Sequence, residues 1–331
     1  MPQLRQNIIT GDWVVIAPER AKRPADYNIS PLPPKMDKSN CPFCEGTKGY
    51  KENQKVLRAS SEHIYVINNK FPAFVESGKK ASVRSYYPEK GFYRAREAIG
   101  DHDVIIVKDH ETSLPHFSKS LMAEMIEVFC DRYNAMKKEP GVVSIMPIYN
   151  HRPEAGASIA HPHAQIFASG IVANTVGKEM SGAERYFGIN GACVFCDIIA
   201  HELKEKVRVV AKNDDFLSAS FYAARFPMET WIYPLDHCSQ FEDMHKSNIN
   251  NLADVLMETI ERMSRAIPHL PLNFYIHTLP TTHKSSSSYH WHLEITPRLA
   301  NYGGYELGSG VIIDIMSPED AAEYLRKPTK S

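Results

Sequence analysis

Two hydrophobic periodicities take turns along this chain, and they do so twice in the same order. Runs rich in β-branched and aromatic residues predict strands over 63–67 and 103–108. A 3.6-residue pattern then predicts a helix over about 118–138. Leu121, Met125, Val128 and Phe129 fall on one face of it, and Ser118 stands where an N-cap belongs. A strand pair follows, ending in His161-Pro162-His163-Ala164-Gln165. The second half repeats the series. It predicts strands through Trp231-Ile232-Tyr233, a helix over about 248–265 and a strand over 273–277, then closes on His290-Trp291-His292-Leu293-Glu294. Each series opens with a short knuckle, Cys41-Pro42-Phe43-Cys44 in the first half and Cys193-Val194-Phe195-Cys196 in the second.

Corresponding positions are offset by 152, 127, 129 and 129 residues, taken at Cys41, His110, His161 and His163 against Cys193, His237, His290 and His292. Four matches in one order predict an α+β fold made of a duplicated module of strands and one long helix. Gly177, Gly182, Gly188 and Gly191 predict a loosened divide over 170–191, separating an N-terminal domain of residues 1–175 from a C-terminal one of residues 176–331. A tail follows, in which Val311-Ile312-Ile313-Asp314 precedes a last helix with Pro318 at its first position.

Composition narrows the class of protein. A chain of 331 residues with 43% hydrophobic and 23% charged residues has the make-up of an ordinary globular protein long enough for about two domains. The formal net charge of −1, with no basic and aromatic stretch, argues against a nucleic-acid partner. Met1 to Thr10 has no leader-like apolar core, and no apolar run is long enough for a membrane span, so a cytoplasmic location is expected. Four of the six cysteines sit in C-x-x-C pairs, a metal-ligand spacing.

Each half offers two thiols and two imidazoles: Cys41, Cys44, His110 and His161, then Cys193, Cys196, His237 and His290. Such sets suit tetrahedral zinc, and iron is a chemically acceptable substitute. With all four positions filled by protein, both ions are expected to be structural. Cys130, among apolar helical residues, reads as core. Cys238, adjacent to His237 and so pointing elsewhere, is left out of the ligand set.

The His-x-His-x-Gln row carries the chemistry. Residues two apart share one face of a strand, so His161, His163 and Gln165 point the same way. With His161 held by metal, His163 is free to attack phosphorus as a neutral imidazole whose other nitrogen is held by a backbone carbonyl. Gln165 offers an amide N–H to a non-bridging phosphoryl oxygen as charge builds there. Glutamine cannot release a proton, so the leaving group must depart unaided, as a phosphate leaving from a diphosphate does. Gly156 and Ala157 let backbone N–H groups approach a phosphate, and Ser158 adds a hydroxyl. In the second half Glu294 replaces the glutamine and would repel a diphosphate, so one catalytic row is expected. His102 and His116 are assigned packing or hydrogen-bonding roles, and His151, His277 and His283 structural ones.

Taken with Trp13 to Pro24, the Cys41 knuckle, Asn68-Asn69-Lys70-Phe71-Pro72, Asn150 and Gly304-Tyr305-Glu306, these motifs resemble the galactose-1-phosphate uridylyltransferase family of the histidine-triad superfamily. The resemblance spans nearly everything from Asp12 to Leu325. It implies two histidine-triad-like modules, each an antiparallel half-barrel sheet with a zinc knuckle. It also implies ping-pong transfer of UMP from UDP-glucose to galactose 1-phosphate through a uridylyl-His163. By the same resemblance Arg20 and Arg23 would meet phosphate, Asn69 and Asn150 the nucleotide, and Tyr305 and Glu306 the hexose, whose site a partner subunit of a homodimer completes. The glycine-rich tail around Gly303 and Gly304 also resembles that of ADP-glucose phosphorylase, a relative that passes the nucleotidyl group to inorganic phosphate.

Overall fold

A computed structural model of the chain describes residues 1–20, 36–76, 92–93 and 96–327. A small sheet joins the two ends of the chain. In it β1 (Gln3–Gln6) and β2 (Trp13–Ile16) form an antiparallel hairpin, and β13 (Ile312–Asp314) runs parallel to β2. Among the described residues the main sheet has ten strands, all paired antiparallel. From one edge come β3 (Leu57–Ser60), β4 (Ile64–Asn68), β5 (Gly100–Val107), β7 (His163–Ser169) and β6 (Ser144–His151). From the other edge come β8 (Val209–Lys212), β9 (Phe216–Ser220), β10 (Thr230–Pro234), β12 (His292–Pro297) and β11 (Leu272–His277). Inward from either edge, three strands stand in sequence and the last two are exchanged. β6 therefore meets β11 at the centre, with Asn150 opposite Asn273.

The period-two alternation sorts side chains between two faces. On one face Ile64, Val66, Ile105, Val107, Ala164, Ile166 and Ala168 join Leu293 and Ile295 in the largest core. The two long helices α2 (Lys119–Met136) and α5 (Lys246–Ala266) close that core and pack on each other. Met122, Ile126, Phe129, Tyr133 and Met136 form the buried stripe of α2, and Ser118 Oγ accepts the Leu121 N–H at 3.1 Å as its N-cap. On the other face of β4 and β5, Tyr65, Ile67, Val104 and Ile106 pack on Cys41 and Phe43. Beneath the second set of strands, Trp231 and Tyr233 pack with Val176, Ala183 and Phe195. The helices there are α3 (Asn174–Asn190) and α4 (Val194–Glu205). α1 (Lys48–Asn53) follows the first knuckle, and α6 (Gly304–Ser309) and α7 (Pro318–Arg326) complete the tail.

Residues 170–191 are not the loosened chain that their glycines suggested. Most of that stretch is α3, a helix of 17 residues. Gly182 is there for close approach, since a Cβ at that position would lie 1.7 Å from the carbonyl oxygen of Ile9. In sequence the glycines of this packed helix look like those of loosened chain, because the packing partner of Gly182 is 173 residues away. The tail matches its expected form: Ser317 Oγ accepts the Asp320 N–H at 3.1 Å and Pro318 opens α7. Among the described residues, no helix is long and apolar enough to cross a membrane.

Candidate active site

Cys41 and Cys44 flank a tight turn held from below, where the Tyr65 hydroxyl donates to the Phe43 carbonyl at 2.7 Å. His110 follows β5 and His161 precedes β7, so the fold brings three separate segments to one point. Cys44 Sγ lies 3.1 Å from His110 Nδ1, Cys41 Sγ lies 3.4 Å from His161 Nδ1, and the two Nδ1 atoms stand 3.0 Å apart. Both rings donate Nε2–H outward, His110 to the Met36 carbonyl at 2.9 Å and His161 to that of Val107 at 2.6 Å. Two imidazole lone pairs therefore face each other, an arrangement that a cation between them relieves. Ligands about 2.0–2.3 Å from a tetrahedral ion stand about 3.3–3.8 Å apart, which this set nearly satisfies.

The second set repeats the plan. Cys196 Sγ lies 3.3 Å from His237 Nδ1 and 3.7 Å from His290 Nδ1. Their Nε2–H groups donate to Ser286 and Pro234 carbonyls at 2.9 and 3.0 Å. Outer-shell carbonyls of this kind fix the tautomer that presents Nδ1. Both Cys/His sets can hold a metal ion. Cys238 belongs to neither, and its thiol donates to the Gln240 carbonyl.

His163 begins β7 on the face of the first knuckle, with its ring 5.6 Å from that of Phe43. A carbonyl only accepts, so the 2.8 Å contact between His163 Nδ1 and the His161 carbonyl places the proton on Nδ1 and a lone pair on Nε2. Burial lowers the affinity of this imidazole for a second proton, more than the carbonyl restores it. The ring is thus held neutral, the form a nucleophile needs. It lines a cavity of about 340 Å³ with Asn150, His151, Arg152, Ala157 and His110. A larger cavity of about 580 Å³, between Ile8, Tyr186, Ile198 and Tyr222, contains none of the row.

Around His163 the anticipated residues fall unevenly. Gln165 shares its face and is half-buried, its Oε1 2.9 Å from His102 Nε2. Asn150 accepts from Asn273 Nδ2 at 2.7 Å and faces Gly156, whose φ of +91° ends a one-turn helix. Ser158 is exposed on the loop before the row. Asn69, at the end of β4, accepts the Phe71 N–H through Oδ1 at 2.9 Å. Arg20 is exposed, and Arg23 lies outside the described residues. Tyr305 is exposed on α6, whereas Glu306 accepts the Gly303 N–H at 2.9 Å and so caps that helix.

One cluster was missed. Glu179 of α3, His277 of β11 and His292 and Glu294 of β12 meet in full burial, close enough to hold a metal ion. His277 Nδ1 lies 3.0 Å from Glu179, the Tyr289 hydroxyl donates to Glu179 at 3.1 Å, and Tyr275 and Arg225 donate to Glu294. Burial alone would raise both carboxyl groups, yet the imidazoles and Arg225 hold them below the usual carboxylate range. The alternation His292-Leu293-Glu294 was the available signal, while Glu179 required the fold.

The description of the galactose-1-phosphate uridyl transferase N-terminal domain matches residues 1–173, and that of its C-terminal domain matches residues 179–328. The chain belongs to this family. Among family members, an Arabidopsis thaliana protein named ADP-glucose phosphorylase is 32% identical over 98% of this chain and 93% of its own. A galactose-1-phosphate uridylyltransferase of Thermotoga maritima is 26% identical over 99% and 98%. The crystal structure of an Arabidopsis ADP-glucose phosphorylase with bound ADP-glucose superposes with a TM-score of 0.82 at 29% identity, covering the whole of both chains.

Proposed function

We propose that this family member is a nucleotidyltransferase working in two half-reactions through a covalent adduct on His163. In the first, His163 Nε2 attacks the α-phosphorus of a nucleoside diphosphate hexose. The P–N bond forms as the P–O bond to the β-phosphate breaks, and hexose 1-phosphate leaves with the electron pair. In the second, a phosphate oxygen of the acceptor attacks the same phosphorus and the P–N bond breaks. Gln165 donates to the non-bridging oxygen in both steps, and Ser158 and the backbone at Gly156 and Ala157 hold the remaining phosphoryl oxygens. The observation that carries this reading is the neutral His163 ring, with its polarity set by the His161 carbonyl and its place in the cavity wall.

The rest of the reading is ours as well. Zinc, or iron in its place, would sit in each Cys/His set as a closed structural ion that braces the row without meeting substrate. The matched strand order on either side of the β6–β11 pair supports a duplicated module, with residues 1–175 and 176–331 as its copies. Arg20, Arg23 and Asn69 would bind the nucleotide end, and Tyr305 and Glu306 the hexose in a cytoplasmic homodimer.

Two substrate pairs fit this chemistry. Family membership favours UDP-glucose with galactose 1-phosphate. The 32% identity to a protein named ADP-glucose phosphorylase, over 98% of this chain, favours ADP-glucose with inorganic phosphate, and we take that second pair as the better supported. Intact-protein mass measured after separate incubation with UDP-glucose and ADP-glucose decides between them. A uridylyl or adenylyl adduct on wild type, absent from His163→Ala, supports the mechanism and names the base. No adduct from either substrate overturns it.

A further inference from the structure

His102 was assigned a packing or hydrogen-bonding role, but its surroundings give it a specific task. A carboxamide at position 165 has two orientations. One presents N–H to the phosphoryl oxygen, and the other presents C=O, which repels it. Only a fixed hydrogen-bond partner on the far side of the amide decides between them.

That partner is His102 on β5. Its Nε2 lies 2.9 Å from Gln165 Oε1, and its ring stacks on Phe167 with centroids 3.8 Å apart. It is 5% exposed. The tautomer of this ring can be traced back to groups whose polarity cannot change. The Phe71 backbone N–H donates to Asn69 Oδ1 at 2.9 Å, which turns Asn69 Nδ2 toward the ring, where it lies 3.3 Å from Nδ1 and 3.2 Å from Nε2 and so selects neither nitrogen. The Ala73 backbone N–H points at Nδ1, at 3.4 Å. Facing this backbone donor, Nδ1 is the lone-pair nitrogen and Nε2 carries the proton. Nε2–H then donates to Gln165 Oε1, which leaves the Gln165 Nε2–H group as the donor for a phosphoryl oxygen.

We infer that His102 is a positioning residue that fixes the orientation of the Gln165 carboxamide, through a hydrogen-bond chain anchored on the backbone N–H of Ala73. The inference rests on the proposed transfer reaction at His163. Asn69, anticipated at the nucleotide, lies against the same ring. The segment near the nucleotide and the donor at phosphorus are thereby tied into one unit.

His102→Phe keeps a ring over Phe167 and removes the donor. Single-turnover formation of the His163 adduct should slow by ~10-fold or more, within the ~100–1,000-fold expected for losing the Gln165 donor itself, with little change in substrate KM. The discriminating measurement is the double variant. His102→Phe with Gln165→Ala should be no slower than Gln165→Ala alone, because His102 acts only through Gln165. Multiplying effects, or an unimpaired His102→Phe, would overturn the inference while adduct formation by wild type leaves the transfer reading intact. If His102→Phe does not fold, ¹⁵N shifts of the His102 ring in wild-type protein decide the matter. Protonation at Nε2 agrees with the chain of donors, and protonation at Nδ1 refutes it.

Discussion

Replacing Gly182 by alanine tests whether α3 is a packed helix or the flexible divide that its glycines suggested. The new Cβ would lie 1.7 Å from Ile9 O and 2.8 Å from Ile9 C, both backbone atoms that cannot swing aside. Contact at 3.0 Å requires α3 and the 7–10 segment to part by roughly 1.3 Å. Overpacking of this kind costs about 1–3 kcal/mol, and Ile9, fully buried, has ~1.5–3 kcal/mol of burial to lose as the gap opens. Alanine returns up to ~1 kcal/mol of helix propensity, so the net loss should be about 2–4 kcal/mol. Gly188, in the same helix, has nothing within 4 Å of its Cβ direction, and Gly188→Ala should gain up to ~1 kcal/mol. Urea unfolding of the two variants beside wild type measures both changes, read from the midpoint and slope. Equal stability of Gly182→Ala and Gly188→Ala would refute the packing of Gly182 against Ile9. The buried cluster gives a second readout, because Glu179 lies one turn before Gly182 on α3 and should lose register with His277.

Cys41→Ser should lower metal content and thermal stability together, measured by elemental analysis and calorimetry on the same sample. Cys130→Ser, in the helix core away from both Cys/His sets, should leave metal content unchanged. Glu319 receives Arg5 at 2.8 Å and Arg208 at 2.9 Å, tying the β1 strand to α7. Burial raises its carboxyl affinity for the proton, but the two arginines outweigh it and hold the group below its ordinary value. A depressed folded value gives stability that is present above the unfolded value and lost as pH falls through the folded one. Glu319→Gln should therefore cost ~1–3 kcal/mol at neutral pH, with the gap to wild type closing in acid, as followed by thermal melts from pH 7 to 3.

The motifs of this chain were legible because their chemistry is local. Two C-x-x-C knuckles with trailing histidines named both candidate metal sets, since thiolate and imidazole at those spacings have few other uses. His163 and Gln165 could be placed on one face from strand periodicity alone, and the long helices α2 and α5 announced themselves through their apolar stripes. Tertiary structure decided everything that depends on meeting across the sheet. Register set His102 opposite Phe167, which gave a histidine expected to pack or hydrogen-bond its particular partner, Gln165. Helix α3 carried Glu179 to histidines about a hundred residues away. It also turned Gly182 from a sign of loosened chain into a contact with Ile9. Periodicity reports which face a residue occupies. Only the three-dimensional arrangement reports what stands across from it, because hydrogen bonds, charge compensation and close packing are settled by neighbours in space.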